Sequence, residues 1–141
     1  RKYDMEFKIQ AVKLAKEISK ISQQQHLVTD ILVEINVGKE ESKGGIYIED
    51  TESFLGEIST LSGISVKGLM TIPPADENIT KTIHYFENMY KKLVDIRSKK
   101  LDNISMNCLS MGMSADYAQA IEAGANIVRV GSALFGQRVY R

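Results

Sequence analysis

Strict alternation between short strand-like runs and helical stretches limits the folds open to this chain more than any other feature. A leading helical segment is followed by strand and helix in turn, four times over. The plainest strand is Asp30-Ile31-Leu32-Val33-Glu34-Ile35-Asn36-Val37, rich in β-branched residues. Ile31, Val33, Ile35 and Val37 fall on one face, and Leu32, Glu34 and Asn36 on the other. That division suits a sheet covered by helices on its outer face and partly polar within. Such alternation predicts a parallel α/β sheet joined by right-handed crossovers. Four βα units in 141 residues are half of an eight-stranded barrel, which takes roughly 250 residues. A small doubly wound sheet is the alternative. The chain opens on Arg1 rather than methionine, and on that ground the incomplete barrel is preferred, with residues 1–141 as a single domain.

The remaining elements follow from spacing. Leu14, Ala15, Ile18 and Ile21 recur at helical intervals. The preceding residues 7–12 alternate like a strand. Either residues 5–22 form one helix, or connecting residues are missing between Val12 and Lys13. Glycines at Gly38, Gly44 and Gly45 mark a loop after the first strand. A helix is expected over 48–61, with Phe54, Leu55, Ile58 and Leu61 as its apolar stripe. The strand at 65–72 is stopped by Pro73 and Pro74. Asn78 or Thr80 would cap a helix reaching about Lys99, with Ile83, Phe86, Met89, Tyr90, Leu93 and Ile96 inward. A strand at 107–110, a helix at 115–123 closed by Gly124, a strand at 126–130 and a last helix from Ser132 complete the order.

Charge and composition narrow the partners. Lys plus Arg equals Asp plus Glu at 18 each, which argues against nucleic acid or an acidic membrane as a partner. No apolar run approaches the ~20 residues of a membrane span. A single cysteine, Cys108, fits a reducing cytoplasm. With two histidines and neither a Cys-x-x-Cys nor a His-Glu-x-x-His motif, the chain offers no zinc-ligand pattern.

Two Gly/Ser turns carry the chemistry. The runs LSMGMS over 109–114 and VRVGS over 128–132 each read as a buried strand ending in a turn that opens a helix. Unpaired N–H groups and the helix dipole at such starts favour an anion, so the paired turns make a cradle for a phosphate. Arg129, alternating with Val128 and Val130, adds a cation on the inward face at the same end.

These runs, with AIEAG over 120–124, VRVGSALFG over 128–136, Arg138, EINVGKEESK over 34–43 and GLMTI over 68–72, closely resemble the pyridoxal phosphate homeostasis proteins. The resemblance runs from about Lys13 to Arg138. It implies the alanine-racemase N-terminal fold, a (β/α)8 TIM-type barrel, of which this chain covers roughly the C-terminal half. It implies pyridoxal 5'-phosphate (PLP) as cofactor, with Ser114 and the backbone of Gly131 and Ser132 on the phosphate. The family usually has threonine where this chain has Ser132. Arg129 would lie near the pyridine nitrogen and, unable to give up its proton, would keep that nitrogen unprotonated. Asn36, Lys43 and Met70 match positions lining the site. The family's Schiff-base lysine belongs to a segment that would precede Arg1, and no lysine here stands in that motif, so no catalytic residue is assigned. The implied function is vitamin B6 and amino-acid homeostasis without turnover, in a cytoplasmic monomer touching PLP-dependent enzymes transiently. A PLP-dependent amino-acid racemase is the alternative.

Other features have simpler readings. Met111 and Met113 are taken as packing and Cys108 as a small buried apolar residue. His26 and His84 are expected in solvent. The run GKEES over 38–42 lacks the glycine and Lys-Ser pair of a nucleotide loop and carries two acids, which would repel phosphate.

Overall fold

A computed structural model describes residues 2–75 and 78–139. The elements are α1 (Lys2–Gln24), β1 (Thr29–Glu34), a 3-10 turn (Ile48–Asp50) leading into α2 (Thr51–Ile58), β2 (Ile64–Met70), α3 (Ile79–Ser98), β3 (Ile104–Met113), α4 (Tyr117–Glu122), β4 (Ile127–Arg129) and α5 (Ser132–Phe135). All strand pairs are parallel and the sheet order is β1-β2-β3-β4. The order never reverses. Right-handed crossovers then bring every connecting helix to one face, as in a barrel wall, whereas a doubly wound sheet needs a reversal. The doubly wound alternative is therefore excluded. Among the described residues, β1 and β4 are the outer strands of this sheet, and the Glu34 carbonyl at the end of β1 also accepts the Ile46 N–H at 2.8 Å.

The segment left open at the N-terminus is one continuous helix. Its buried face differs from the expected stripe. Val12, Ala15, Ser19 and Ser22 are buried, whereas Leu14 and Ile21 are 62% and 45% exposed. Close approach decides this. The Gly63 N–H donates to Ser19 Oγ at 3.0 Å, and a Cβ on Gly63 would lie 2.1 Å from the Ser19 carbonyl oxygen. Small residues on α1 let its backbone rest on the turn entering β2, which bulky apolar side chains would prevent. Ser22 and Thr29 share a hydroxyl hydrogen bond of 2.6 Å that ties the end of α1 to the start of β1.

The core lies between the sheet and the helices. Val33, Ile64, Val66, Leu69, Leu109 and Met111 meet Phe54, Leu55 and Ile58 of α2 and Phe86, Met89, Leu93 and Ile96 of α3, all buried. Each such side chain contributes about 1.5–3 kcal/mol of burial. Asn78 caps α3, its Oδ1 accepting the Thr80 N–H at 3.0 Å. Thr82 rather than Ile83 is the buried residue of the first turn. Tyr90, expected inward, is 44% exposed. Its ring instead covers Gly124, where an added Cβ would come within 2.4 Å of a ring carbon. Leu61 falls outside α2, which ends at Ile58. Cys108 is half-buried rather than buried, and Met113 is 44% exposed rather than packed. His26 and His84 are exposed.

Glu52 of α2 is clasped by Lys99 and by Lys92, the latter at 3.3 Å. The hydrogen bond from Lys99, then that from Lys92, lowers its carboxyl below the usual 4.5. A carboxylate lowered in the folded state stabilises above its unfolded pKa, and that stability is lost as pH falls through the folded value. Glu52→Gln is therefore expected to lower the urea midpoint slightly at neutral pH and to leave it unchanged well below pH 4.5. An equal loss at both pH values would show that charge is not the cause. The exposed pair makes this a small effect.

Candidate functional site at the C-terminal ends of the strands

The C-terminal end of β3 is shaped by its last residues. Gly112 takes a φ of +98°, and a Cβ there would meet the Ala120 Cβ at 2.6 Å. The chain then turns, with the Met113 N–H donating to Asp116 Oδ1 at 2.7 Å and the Asp116 N–H returning to the Met113 carbonyl at 3.1 Å. This reciprocal pair, a local side-chain-to-backbone lock, holds Ser114 toward the next unit. Ser114 Oγ accepts the N–H of Gly131 at 3.3 Å and of Ala133 at 3.1 Å. The structure thus brings the two Gly/Ser turns together. The N–H groups facing Ser114 are those of Gly131 and Ala133, while Ser132 is exposed and its carbonyl accepts the Gly136 N–H. A hydroxyl oxygen that accepts two N–H groups keeps its own hydrogen for an acceptor such as a phosphate oxygen.

Arg129, at the end of β4, is half-buried. Its Nη1 donates to Ser110 Oγ at 3.2 Å and its Nη2 to the Thr71 carbonyl at 2.9 Å. It lines a cleft of about 680 Å³ together with Lys43, Ile72, Pro73, Pro74, Gly112, Met113, Ala115 and Asp116. Ser114, Gly131 and Ser132 are not among these lining residues, although Ser114 lies between Met113 and Ala115 in the chain.

The other expected site residues have local partners. Lys43 reaches the cleft, but its Nζ donates to the carbonyls of Pro73 at 3.2 Å and Ile72 at 3.4 Å and pairs with Glu40 at 2.5 Å. Asn36 is buried and folds its amide onto the loop that follows. Nδ2 donates to the carbonyls of Glu40 (2.8 Å) and Lys43 (3.4 Å), and Oδ1 accepts the Glu40 N–H at 3.0 Å. Met70 closes β2, half-buried, with its carbonyl accepting the Ile35 N–H at 2.8 Å. Asn36 and Met70 are not among the cleft-lining residues. Thr71, Ser110, Asp116 and Glu40 were not singled out from the sequence. Thr71, Ser110 and Glu40 lie inside runs noted in the sequence, but the roles of Thr71 and Ser110 depend on cross-strand neighbours and those of Asp116 and Glu40 on the path of a turn or loop, which spacing does not reveal.

Residues 1–139 match the family profile of the alanine racemase N-terminal domain. The chain belongs to that family. The Aquifex aeolicus pyridoxal phosphate homeostasis protein is 43% identical over 129 residues, covering 90% of this chain and 55% of the relative. That of Haemophilus influenzae is 36% identical over 114 residues, covering 79% and 46%. The chain spans about half the length of the curated relatives it matches. Among solved structures of this alanine racemase-like fold, a protein of unknown function from Bifidobacterium adolescentis superposes with a TM-score of 0.81 at 34% identity, covering 88% of this chain and 49% of the other. PipY of Synechococcus elongatus with PLP bound gives 0.77 at 26% identity, covering 88% and 57%. The four-stranded parallel sheet with its helices is this family's α/β fold, present as a half-barrel.

Proposed function

We propose that this chain is the C-terminal half, a single domain over 1–141, of a PLP-binding (β/α)8 barrel. In this reading the whole protein holds PLP for vitamin B6 and amino-acid homeostasis and turns nothing over itself. The observation that carries this is the seat formed by Ser114 with the N–H groups of Gly131 and Ala133, set at the same strand ends as Arg129. The names of the relatives and the PLP-bound PipY support the cofactor's identity.

The residues present fit a phosphorylated pyridine. The Ser114 hydroxyl hydrogen is the donor offered to the phosphate, since the N–H groups of Gly131 and Ala133 are taken up by its oxygen, with Ser132 exposed beside it. Arg129 supplies fixed N–H donors that cannot pass a proton to a ring nitrogen. Met70 closes the neighbouring strand, and Asn36 and Lys43 shape the loop above it. When bound, PLP supplies an electron-withdrawing ring, and a guanidinium at its nitrogen weakens that effect and so restrains carbanion chemistry. Lys43, the lysine lining the cleft, has its ammonium engaged by Glu40 and two carbonyls, which supports non-covalent holding by this chain. Racemisation would need a second acid–base group opposite the first. We take the whole protein as a cytoplasmic monomer that meets PLP-dependent enzymes transiently, the single cysteine fitting a reducing compartment; among the described residues no helix is long and apolar enough to cross a membrane.

The test compares PLP with pyridoxal, which lacks the phosphate, by titration of the chain. PLP is expected to bind weakly but in preference, without a single stoichiometrically modified lysine after borohydride. Ser114→Ala should weaken PLP about tenfold, as for loss of one charge-assisted hydrogen bond, and leave pyridoxal unchanged. Equal binding of the two ligands by the parent chain would overturn the reading. Alanine turnover above that of free PLP would favour the racemase instead.

A further inference from the structure

One row of hydrogen bonds crosses all four strand ends, and a single residue joins its parts. Arg129 past β3 reaches both Ser110 and the carbonyl of Thr71. Thr71, the first residue beyond β2, donates its N–H to the Ser110 carbonyl at 3.0 Å. Its Oγ1 donates to the carbonyl of Ile35, just past β1, at 2.6 Å. Thr71 is fully buried, and Ile35 and Ser110 are 1% and 3% exposed.

A buried threonine often does no more than satisfy its own hydroxyl. Here the chain beyond it makes the bond consequential. Pro73 and Pro74 follow after one residue, and neither has an N–H with which to continue the ladder. Beyond the peptide plane after Thr71 the chain is held by Lys43, whose Nζ donates to the carbonyls of Ile72 and Pro73; on the Thr71 side that plane is held by the N–H bond to β3 and the hydroxyl bond to β1. The carbonyl of that plane is the one that receives the guanidinium.

We propose that Thr71 is a positioning residue for Arg129. Its hydroxyl pins the Thr71–Ile72 peptide so that the carbonyl fixes the guanidinium, whose remaining N–H groups are then offered to the cleft in one orientation. The part that concerns the ring nitrogen rests on the PLP reading above; the part that concerns Arg129 does not.

The test uses Thr71→Val, which keeps the shape and removes the hydroxyl, and Thr71→Ser, which keeps the hydroxyl. In the ligand-free chain, NMR of the Arg129 guanidinium is expected to show rotation about tenfold faster in Thr71→Val, with Thr71→Ser like the parent, as loss of a charge-assisted anchor implies. Folded chains are then titrated with PLP and with its 1-deaza analogue, which lacks the ring nitrogen. The parent should prefer PLP about tenfold, Thr71→Val should lose most of that preference, and Thr71→Ser should keep it. Unchanged guanidinium rotation in folded Thr71→Val overturns the proposal. An unchanged PLP preference in Thr71→Val, or a parent chain with no preference for the ring nitrogen, overturns the part that concerns the ring nitrogen. If Thr71→Val does not fold, Thr71→Ser and Thr71→Ala decide together: fast rotation in Thr71→Ser, or parent-like rotation in Thr71→Ala, overturns the proposal, and parent-like rotation in Thr71→Ser beside fast rotation in Thr71→Ala upholds it. Failure of the PLP reading looks different, since the parent would then bind PLP no better than pyridoxal while the rotation result stands.

Discussion

Gly68→Ala is expected to cost about 4 kcal/mol or more, the range reached only when a substitution breaks packing outright. A Cβ at Gly68 would lie 1.7 Å from the Cys108 carbonyl oxygen and 2.5 Å from its carbon. Overpacking a core usually costs about 1–3 kcal/mol because side chains can yield. Here the obstacle is the backbone of β3, held on its far side by β4 and from above by α3 and α4. Nothing at this position is a flexible side-chain tip. Relief would require β2 and β3 to part where Gly68, Leu69 and Met70 pair with Cys108, Leu109 and Ser110. Circular dichroism and a urea titration give the readout, and a midpoint equal to the parent's would refute the contact. Because domains of this size hold only about 5–15 kcal/mol, the variant should be partly unfolded without denaturant.

Arg129→Met should be the most damaging change at the site. It removes the guanidinium that spans Ser110 on β3 and the Thr71 carbonyl beyond β2. Each such acceptor left dry costs about 1–3 kcal/mol, so a stability loss of about 2–4 kcal/mol is expected by urea titration. PLP should bind at least about tenfold more weakly, since hydrogen bonds from charged donors contribute about 1.5–3 kcal/mol. Arg129→Lys should rescue little, because one ammonium cannot bridge two acceptors on different strands as a planar fork does. A lysine variant that matched the parent in both stability and PLP affinity would show that charge alone matters there.

The alternation of strands and helices was legible because periods of two and of 3.6 residues write themselves into any amphipathic element. Sequential strand order was not legible in the same way, because a doubly wound sheet has the same alternation and only the pairing order separates the two. The buried face of α1 was legible only in part: the hydrophobicity pattern gave Ala15, which is buried, but also Leu14 and Ile21, which are exposed, while the contact with Gly63 favours Ser19. Size, not polarity, chose the face. At the site, the runs around Ser114 and Gly131 were legible as turns, and their juxtaposition across 17 residues follows from one βα unit. The partners of Asn36 and Lys43 were not, because a loop's path decides whether a polar side chain faces the cleft or its own backbone. Thr71 was invisible as an actor because it works through a carbonyl that every residue possesses.

Each pair of neighbouring strands carries a register slip: at Ile31/Leu32, at Val66/Gly68 and at Ser110/Met113. Extra residues of this kind bend a strand and tighten its twist, and repeated slips make a sheet roll up instead of lying flat. A rolled sheet has two unequal sides. The convex side is broad enough for helices and carries the burden of folding; the concave side is too tight for a helix and stays available to a small ligand. Side chains on the concave side that carry no cross-strand bond can therefore be varied by selection for a new guest while Leu109 and Met111, on the opposite side, keep the chain folded.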